Sequence, residues 1–413
     1  NNYDYDTPGQ AHLGWKVFWV LEGLDYAYRA TGDQYFLQTS VQMFDALLDV
    51  RDDNIGRTAW DGNLYPLWGS ISRYNGAVFP LTDDSGNIVA RLFFHCQSND
   101  QTFVAVTNLS GETFDLKIKH QTTEYTLHGV TLATLKSRVE REVNWTYYGS
   151  PLPGKKVVTA EVLADEPLAP PAPVSYKRVE NTNVPTVIHT ALVLEPMVNA
   201  YIAMKAEGYP RCDYYGQQIR LMFDTLLKYH WNEAGYFKEM DNSLTHLGGG
   251  YIIPWNQQLP LISAMATFAK AEGDQQLANV VKKACAYFMG KVTKTETGYL
   301  WRYWEDPSKT VTYYETTNYA GIDLTSIAAI YESGLGFTKT DMNQIAKTIS
   351  TRVLKSPGKP ATRIDGSTPS AANIPLLYKF LPFGDRVPQL FTLLKTQSMS
   401  WDEAARMLYY MTL

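Results

Sequence analysis

Apolar residues recur at helical spacing in stretches that end on one motif: Arg29-Ala30-Thr31-Gly32, Lys205-Ala206-Glu207-Gly208 and Lys270-Ala271-Glu272-Gly273, with Tyr331-Glu332-Ser333-Gly334 a looser copy. A glycine just past the last periodic residue is a helix stop, because glycine takes the left-handed conformation at little cost. Asp33 and Asp274 follow two of these glycines directly. An aspartate there caps the next helix, so each motif predicts the tight turn of a helical hairpin. A second motif follows the second helix: Asn232-Glu233-Ala234-Gly235-Tyr236-Phe237 resembles Thr295-Glu296-Thr297-Gly298-Tyr299-Leu300, and Asp53-Asn54-Ile55-Gly56 is a weaker relative. Gly208 to Gly273 is 65 residues, Gly273 to Gly334 is 61 and Gly235 to Gly298 is 63. A repeat of that length, made of two helices and a return, buries its apolar face only against its neighbours.

Between Gly32 and Gly208 the interval is 176, far more than one repeat. There the period changes. From about 87 to 145 apolar residues alternate with polar ones, through Arg91-Leu92-Phe93-Phe94, Thr102–Val106, Thr113–Ile118 and Tyr125-Thr126-Leu127. That alternation predicts an antiparallel β meander. Pro151–Pro173 is proline-rich and reads as a surface connection. The expected fold is mainly α: an (α/α)6–7 toroid whose first part spans residues 1–70 and whose remainder spans 179–413, with an inserted β-rich subdomain over 71–178.

Composition narrows the chemistry. The chain has 413 residues, 45% hydrophobic and 19% charged, with a net charge of −5. This is a globular composition. Without a long basic run, nucleic acid is not expected as a partner. No run of 18 apolar residues points to a membrane span. Cys96, Cys212 and Cys285 have no metal-type spacing, so zinc is not indicated, and no metal or other cofactor is expected. The 28 Tyr, 10 Trp and 16 Phe are an aromatic richness suited to stacking on sugar rings. Asn108-Leu109-Ser110 and Asn144-Trp145-Thr146 match the glycosylation acceptor pattern, which is also frequent by chance. Export, to the periplasm or the medium, is the expectation for localisation. Oligomeric state is left open.

Four segments concentrate groups capable of chemistry. Asn183 and His189 flank the start of an apolar helix after Pro185. Glu239 and His246 lie on either side of a polar stretch that reaches Gly248-Gly249-Gly250, after which Trp255, Asn256 and Gln257 open another helix behind Pro254. Trp301, Arg302 and Tyr303 follow the Gly298 return, and Arg302 stands as far past its glycine as Glu239 past Gly235, so both are expected on one rim. Tyr314, Glu315, Asn318 and Tyr319 precede or open a further helix, where Thr317 or Asn318 would cap it. A tyrosine beside a cation can act as a base, and an arginine fork suits a carboxylate. Packing, capping and buried-histidine roles account for the same residues without any ligand.

With these residues in view, the chain resembles the α/α-toroid polysaccharide lyases, in particular the family-38 lyases of alginate and glucuronan. The resemblance covers about 10–70 and 180–412 and rests on the order of loose motifs: Ala11-His12, Glu22-Gly23-Leu24-Asp25-Tyr26-Ala27, Arg51-Asp52-Asp53, Val187–Ala191, Trp301-Arg302-Tyr303, Glu315 through Asp323 and Phe337–Met342. Where many toroid relatives carry Glu-Asp-x-Ser-His, this chain has Thr316 and Tyr319 in place of the Asp and the His. The resemblance implies β-elimination on a uronic-acid polymer. Tyr303, Tyr314 or Tyr319 would serve as base and acid. His189, His246, Arg302 and Glu239 would stand around the acid group, and Asn183, Trp255, Asn256, Gln257, Trp301, Glu315 and Asn318 would bind the sugar. The competing readings are a glycoside hydrolase using two of Glu239, Glu315 and Asp323, a uronate C5-epimerase, and a non-catalytic glycan-binding protein.

Overall fold

The structure is a computed structural model, and it describes residues 16–71, 75–95, 101–108, 111–146, 156–163, 169–245, 249–307 and 311–413. Ala11-His12, Cys96, Ser110 and His246 lie outside the described residues. The chain opens with helices α1 (Phe18–Thr31) and α2 (Gln34–Asp49), the short α3 (Asp52–Ile55) and strand β1 (Gly69–Ser70). A β-rich stretch follows: β2 (Ala77–Thr82), β3 (Ile88–Phe94), β4 (Thr102–Asn108), β5 (Phe114–His120), β6 (Thr123–Val130), helix α4 (Leu132–Glu142), β7 (Val158–Val162) and β8 (Val174–Arg178). Strand β9 (Val184–Pro185) leads into α5 (Val187–Ala206) and α6 (Cys212–His230), then the hairpin β10 (Trp231–Asn232) and β11 (Tyr236–Phe237). The pattern repeats as α7 (Trp255–Glu272), α8 (Gln275–Lys291), β12 (Thr293–Thr295) and β13 (Gly298–Leu300), and α9 (Thr317–Ser333) follows. The chain ends with α10 (Lys339–Thr348), a π-helical turn, a 3-10 segment over Ala371–Phe383, α11 (Gln389–Leu394) and α12 (Trp401–Thr412).

The mainly-α toroid expected from the repeats is corrected here. The protein is about 50% helix and 19% strand, with five small antiparallel sheets among the described residues, which makes it a mixed α and β architecture. The helical signals were real, but they were counted without the strands between them. Each Gly-aromatic return is itself a two-stranded hairpin, with Trp231 facing Phe237 in one and Thr293 facing Leu300 in the other. Alternation over 87–145 yields β3 to β6, yet Leu132–Glu142 forms α4, whose start carries a capping box on Thr131. The proline-rich connection also contains a strand, since β7 completes the sheet β2-β3-β7.

The hairpin turns form as the sequence dictates. Gly32, Gly208, Gly273 and Gly334 all have positive φ. Asp33 accepts the N–H of Tyr35 and Asp274 that of Leu277, capping α2 and α8. Gly298 has φ 117°, and a Cβ there would come within 2.3 Å of the Thr348 hydroxyl, so this return needs glycine both for its backbone and for its contact with α10.

Two large hydrophobic clusters hold the described residues together. One joins the helices; the other lies among β2 to β8 and α4, running from Ala77 to Val179; a small third cluster joins Phe18 to Ile188 and Leu192. In the helical region α1 packs on α5, α5 on α7, α7 on α9, α9 on the 3-10 segment, that segment on α12, and α12 back on α1. Helix α5 is long and apolar enough to cross a membrane, but 78% of it is buried inside the protein, as befits a core helix touching α1, α2, α6 and α7. Its N-terminal end, with those of α7 and α9, positions the site.

Candidate functional site

The short strand β9 pairs with β1, Ser70 opposite Val184, and this pairing fixes the chain just before α5. It sets Asn183 against Asp52, whose Oδ2 accepts the Asn183 amide at 2.7 Å. His189 is buried in the first turn of α5, beside the fully enclosed Thr190.

After β11 the chain returns through an isolated bridge between Lys238 and Ile252. Glu239 donates its N–H to the Tyr251 carbonyl at 2.8 Å and is only 2% exposed. Burial pushes its carboxyl up to about 8, and its Oε2 has no hydrogen-bond partner. The next return is matched by a bridge between Arg302 and Tyr314. Pairing therefore makes Lys238, not Glu239, the counterpart of Arg302. The residue count from the glycines differs by one between the two returns, and this corrects the shared-rim expectation: Arg302 is exposed while Glu239 is enclosed.

Trp301 and Trp255 are corrected as sugar platforms. Trp255 is 1% exposed and meets Phe288 edge-on at 4.9 Å; Trp301 is 2% exposed and donates its indole N–H to Asp323 at 2.8 Å. Both rings are core, and neither offers a face to a ligand. Asn256 is buried with its Oδ1 unpartnered, whereas Gln257 is half-buried and Asn318 exposed. Thr316, rather than Thr317 or Asn318, caps α9 by accepting from Tyr319 N–H.

The strongest concentration of chemistry lies at the start of α9. Glu315 and Asp323 are fully buried. Glu315 donates its N–H to the Trp301 carbonyl at 3.0 Å and accepts from Thr316 N–H at 2.7 Å through Oε1, leaving Oε2 unpartnered. Asp323 accepts the Trp301 indole through Oδ2 and leaves Oδ1 unpartnered. Burial raises both carboxyls, Asp323 to about 8, and Asp323 pushes Glu315 further up. Beside them Tyr303 stacks on Tyr319 at 5.6 Å and 29°, and on Tyr313 at 6.2 Å and 18°. Burial and the nearby acids keep the Tyr303 phenol protonated, well above the usual range. Tyr314 is half-buried in the bridge to Arg302.

Helices α5, α7 and α9 pack side by side in the same direction, with Ser263 donating to Glu195 midway, Tyr201 to Glu272 near the ends of α5 and α7, and Lys270 to the Glu332 carbonyl near the ends of α7 and α9, so their starts are neighbours. Those starts and the segments leading into them carry Asn183, His189, Glu239, Asn256, Tyr303, Glu315 and Tyr319. Buried polar atoms without partners are rare in proteins, and a cluster of them calls for an explanation, of which a bound ligand is one. Sequence reading missed Asp52 as the partner of Asn183, and it missed Arg363, whose guanidinium lies 5.0 Å from the Tyr313 ring. Neither belongs to a repeat, and only the pairings of β1 with β9 and of Thr316 with Arg363 bring them in. Among the described residues no cluster of His, Cys, Asp and Glu is arranged to hold a metal. No protein-family model matches the chain, and no curated protein matches it.

Proposed function

We propose that this protein is a polysaccharide lyase that cleaves a uronic-acid polymer of the alginate or glucuronan type by β-elimination. The observation that carries the reading is the trio Glu239, Glu315 and Asp323: buried, without a cation in ion-pair distance among the described residues, and pushed by burial above the usual carboxylate range, Glu239 and Asp323 to about 8. A protonated carboxyl can share its proton with the carboxylate of a uronate. Neutralising that carboxylate is what makes the C5 proton removable and the resulting enolate stable. A hydrolase needs one of its two carboxyls ionised as nucleophile or base. Burial works against ionisation at all three positions, and this favours elimination over hydrolysis.

In this reading the working tyrosine comes from the Tyr303–Tyr319 stack. Tyr303 rests protonated, which suits delivery of a proton to the O4 leaving group. Removal of the C5 proton falls to a second group on the opposite side, with His189 and Tyr314 as the candidates. Exposed Arg302 would attract the polyanion at the rim.

The test is to incubate the protein with alginate, glucuronan and other uronate polymers. The ultraviolet absorbance of the C4–C5 unsaturated product is followed beside a reducing-end assay. Rising absorbance is the expected result. New reducing ends with flat absorbance would overturn elimination in favour of hydrolysis, with Glu315 and Asp323 as the pair to examine. No change in either overturns cleavage of these polymers altogether.

A further inference from the structure

Asp52 opens α3 and is almost completely enclosed. Its Oδ2 accepts two hydrogen bonds, from Gly69 N–H at 3.0 Å and from Asn183 Nδ2 at 2.7 Å, and Arg57 Nη1 lies 3.8 Å from its Oδ1. The three partners come from residues 52, 69 and 183, so nothing in the local sequence couples them. The geometry is tight. A Cβ on Gly69 would fall 2.3 Å from Asn183 Oδ1 and 2.7 Å from Asp52 Oδ2. Only glycine at 69 lets the amide and the carboxylate meet over that backbone. The Asn183 main chain is held separately, its carbonyl accepting Trp60 N–H at 3.1 Å.

An ionised carboxylate only accepts hydrogen bonds, whereas an amide has a donor end and an acceptor end. Asp52 therefore decides which way the amide turns: Nδ2 toward the acid, Oδ1 over Gly69 without a partner. One amide N–H is then spent on Asp52 and one remains. We propose that Asp52 is a positioning residue that locks Asn183 as a hydrogen-bond donor, so that this corner of the site selects a ligand bearing an acceptor oxygen, such as the carboxylate of a sugar acid. The identity of that ligand rests on the lyase reading; the lock itself does not.

Burial raises the Asp52 carboxyl to about 6, the neighbouring Asp53 adds to the rise, and Asn183, Gly69 and Arg57 oppose it. Above that pH the acid is ionised and the lock is set. As pH falls through it, Asp52 gains a proton and can donate, and the amide is free to turn.

The experiment uses the full chain labelled with 15N-asparagine, the Asn183 side-chain signal being assigned by its loss in Asn183→Ala. Titrated from about pH 4.5 to 7.5, the signal should inflect near the Asp52 transition in the wild type and lose that inflection in Asp52→Asn. A flat titration, or the same inflection in both proteins, overturns the lock. On a polymer the protein cleaves, Asp52→Asn and Gly69→Ala should each lower kcat/KM about tenfold or more, with Asp52→Asn melting near the wild-type temperature. Wild-type kcat/KM in a folded Asp52→Asn removes Asp52 from the site. If no polymer is cleaved, the lyase reading falls while the titration still decides the lock.

Discussion

Two regions of this protein bury acidic side chains, and they handle them in opposite ways. Inside the circuit of helices, Glu22 pairs with Arg406, and Asp25 accepts from Asn199 at 3.0 Å with Arg29 at 3.6 Å. Glu195 accepts from Ser263 at 2.6 Å. Glu22, Asp25, Arg29, Glu195 and Asn199 line a cavity of only about 30 Å³, room for roughly one water. At the starts of α7 and α9, Glu239, Glu315 and Asp323 are as deeply buried, yet each keeps an oxygen without a partner. Cations make the difference. Arg406 pairs with Glu22, and Arg29 offsets part of the rise that burial imposes on Asp25, whereas Glu195 is raised to about 8 by its own burial. Glu239, Glu315 and Asp323 have no cation in ion-pair distance among the described residues, and burial raises all three. The first arrangement serves the fold; the second costs stability.

Breaking an interior pair should have the largest effect. Glu22→Gln strands the buried Arg406 cation and should cost about 3–5 kcal/mol in denaturant unfolding. Glu315→Gln in the same measurement should stay within about 1 kcal/mol of wild type. Equal losses would erase the distinction between the two regions.

The protonated state of the site acids has a pH signature. The folded pKa of Glu239, about 8, lies above its ordinary 4.5, so the native state holds the proton longer than the unfolded chain. Its contribution to stability is complete below about 4.5 and is lost as pH rises through about 8. Glu239→Gln should remove about 5 kcal/mol of the decline in unfolding free energy across that window. An unchanged decline would mean that Glu239 is ionised in the native protein.

Catalysis should respond more moderately. Glu315→Gln and Asp323→Asn should each lower turnover of a cleaved uronate polymer about 100-fold, since an amide donates a hydrogen bond but cannot share a proton. Near-normal turnover would reassign these acids to packing. Smallest of all, Arg302→Ala should reduce kcat/KM about tenfold at low salt with the melting temperature unchanged, and the deficit should shrink as salt is added. Salt-independent loss would place Arg302 against the reacting group rather than at the rim.

Much of the local structure was legible. The Gly32, Gly208, Gly273 and Gly334 stops, the Asp33 and Asp274 caps and the helix starts behind Pro185 and Pro254 follow from backbone chemistry within a few residues. The strands β3 to β6 follow from alternation. The architecture was misjudged because the repeats gave weight to helices, while short returns such as Trp231–Phe237 carry too few residues to show a strand period. Site membership was legible only in part. Trp255 and Trp301 looked like ligand platforms because an aromatic residue in a polar segment reads the same whether its ring turns outward or into the core.

The sequence by itself determined where helices stop, where they begin and which faces are apolar, because those depend on the conformational limits of glycine and proline and on the helical period. Only the tertiary structure decided that Asp52 meets Asn183, that Arg302 is exposed while Glu239 is enclosed, and that Glu239, Glu315 and Asp323 are buried with no compensating cation among the described residues. Those outcomes depend on pairings between residues tens to hundreds of positions apart, and on burial, which changes the charge an acid carries without changing its name.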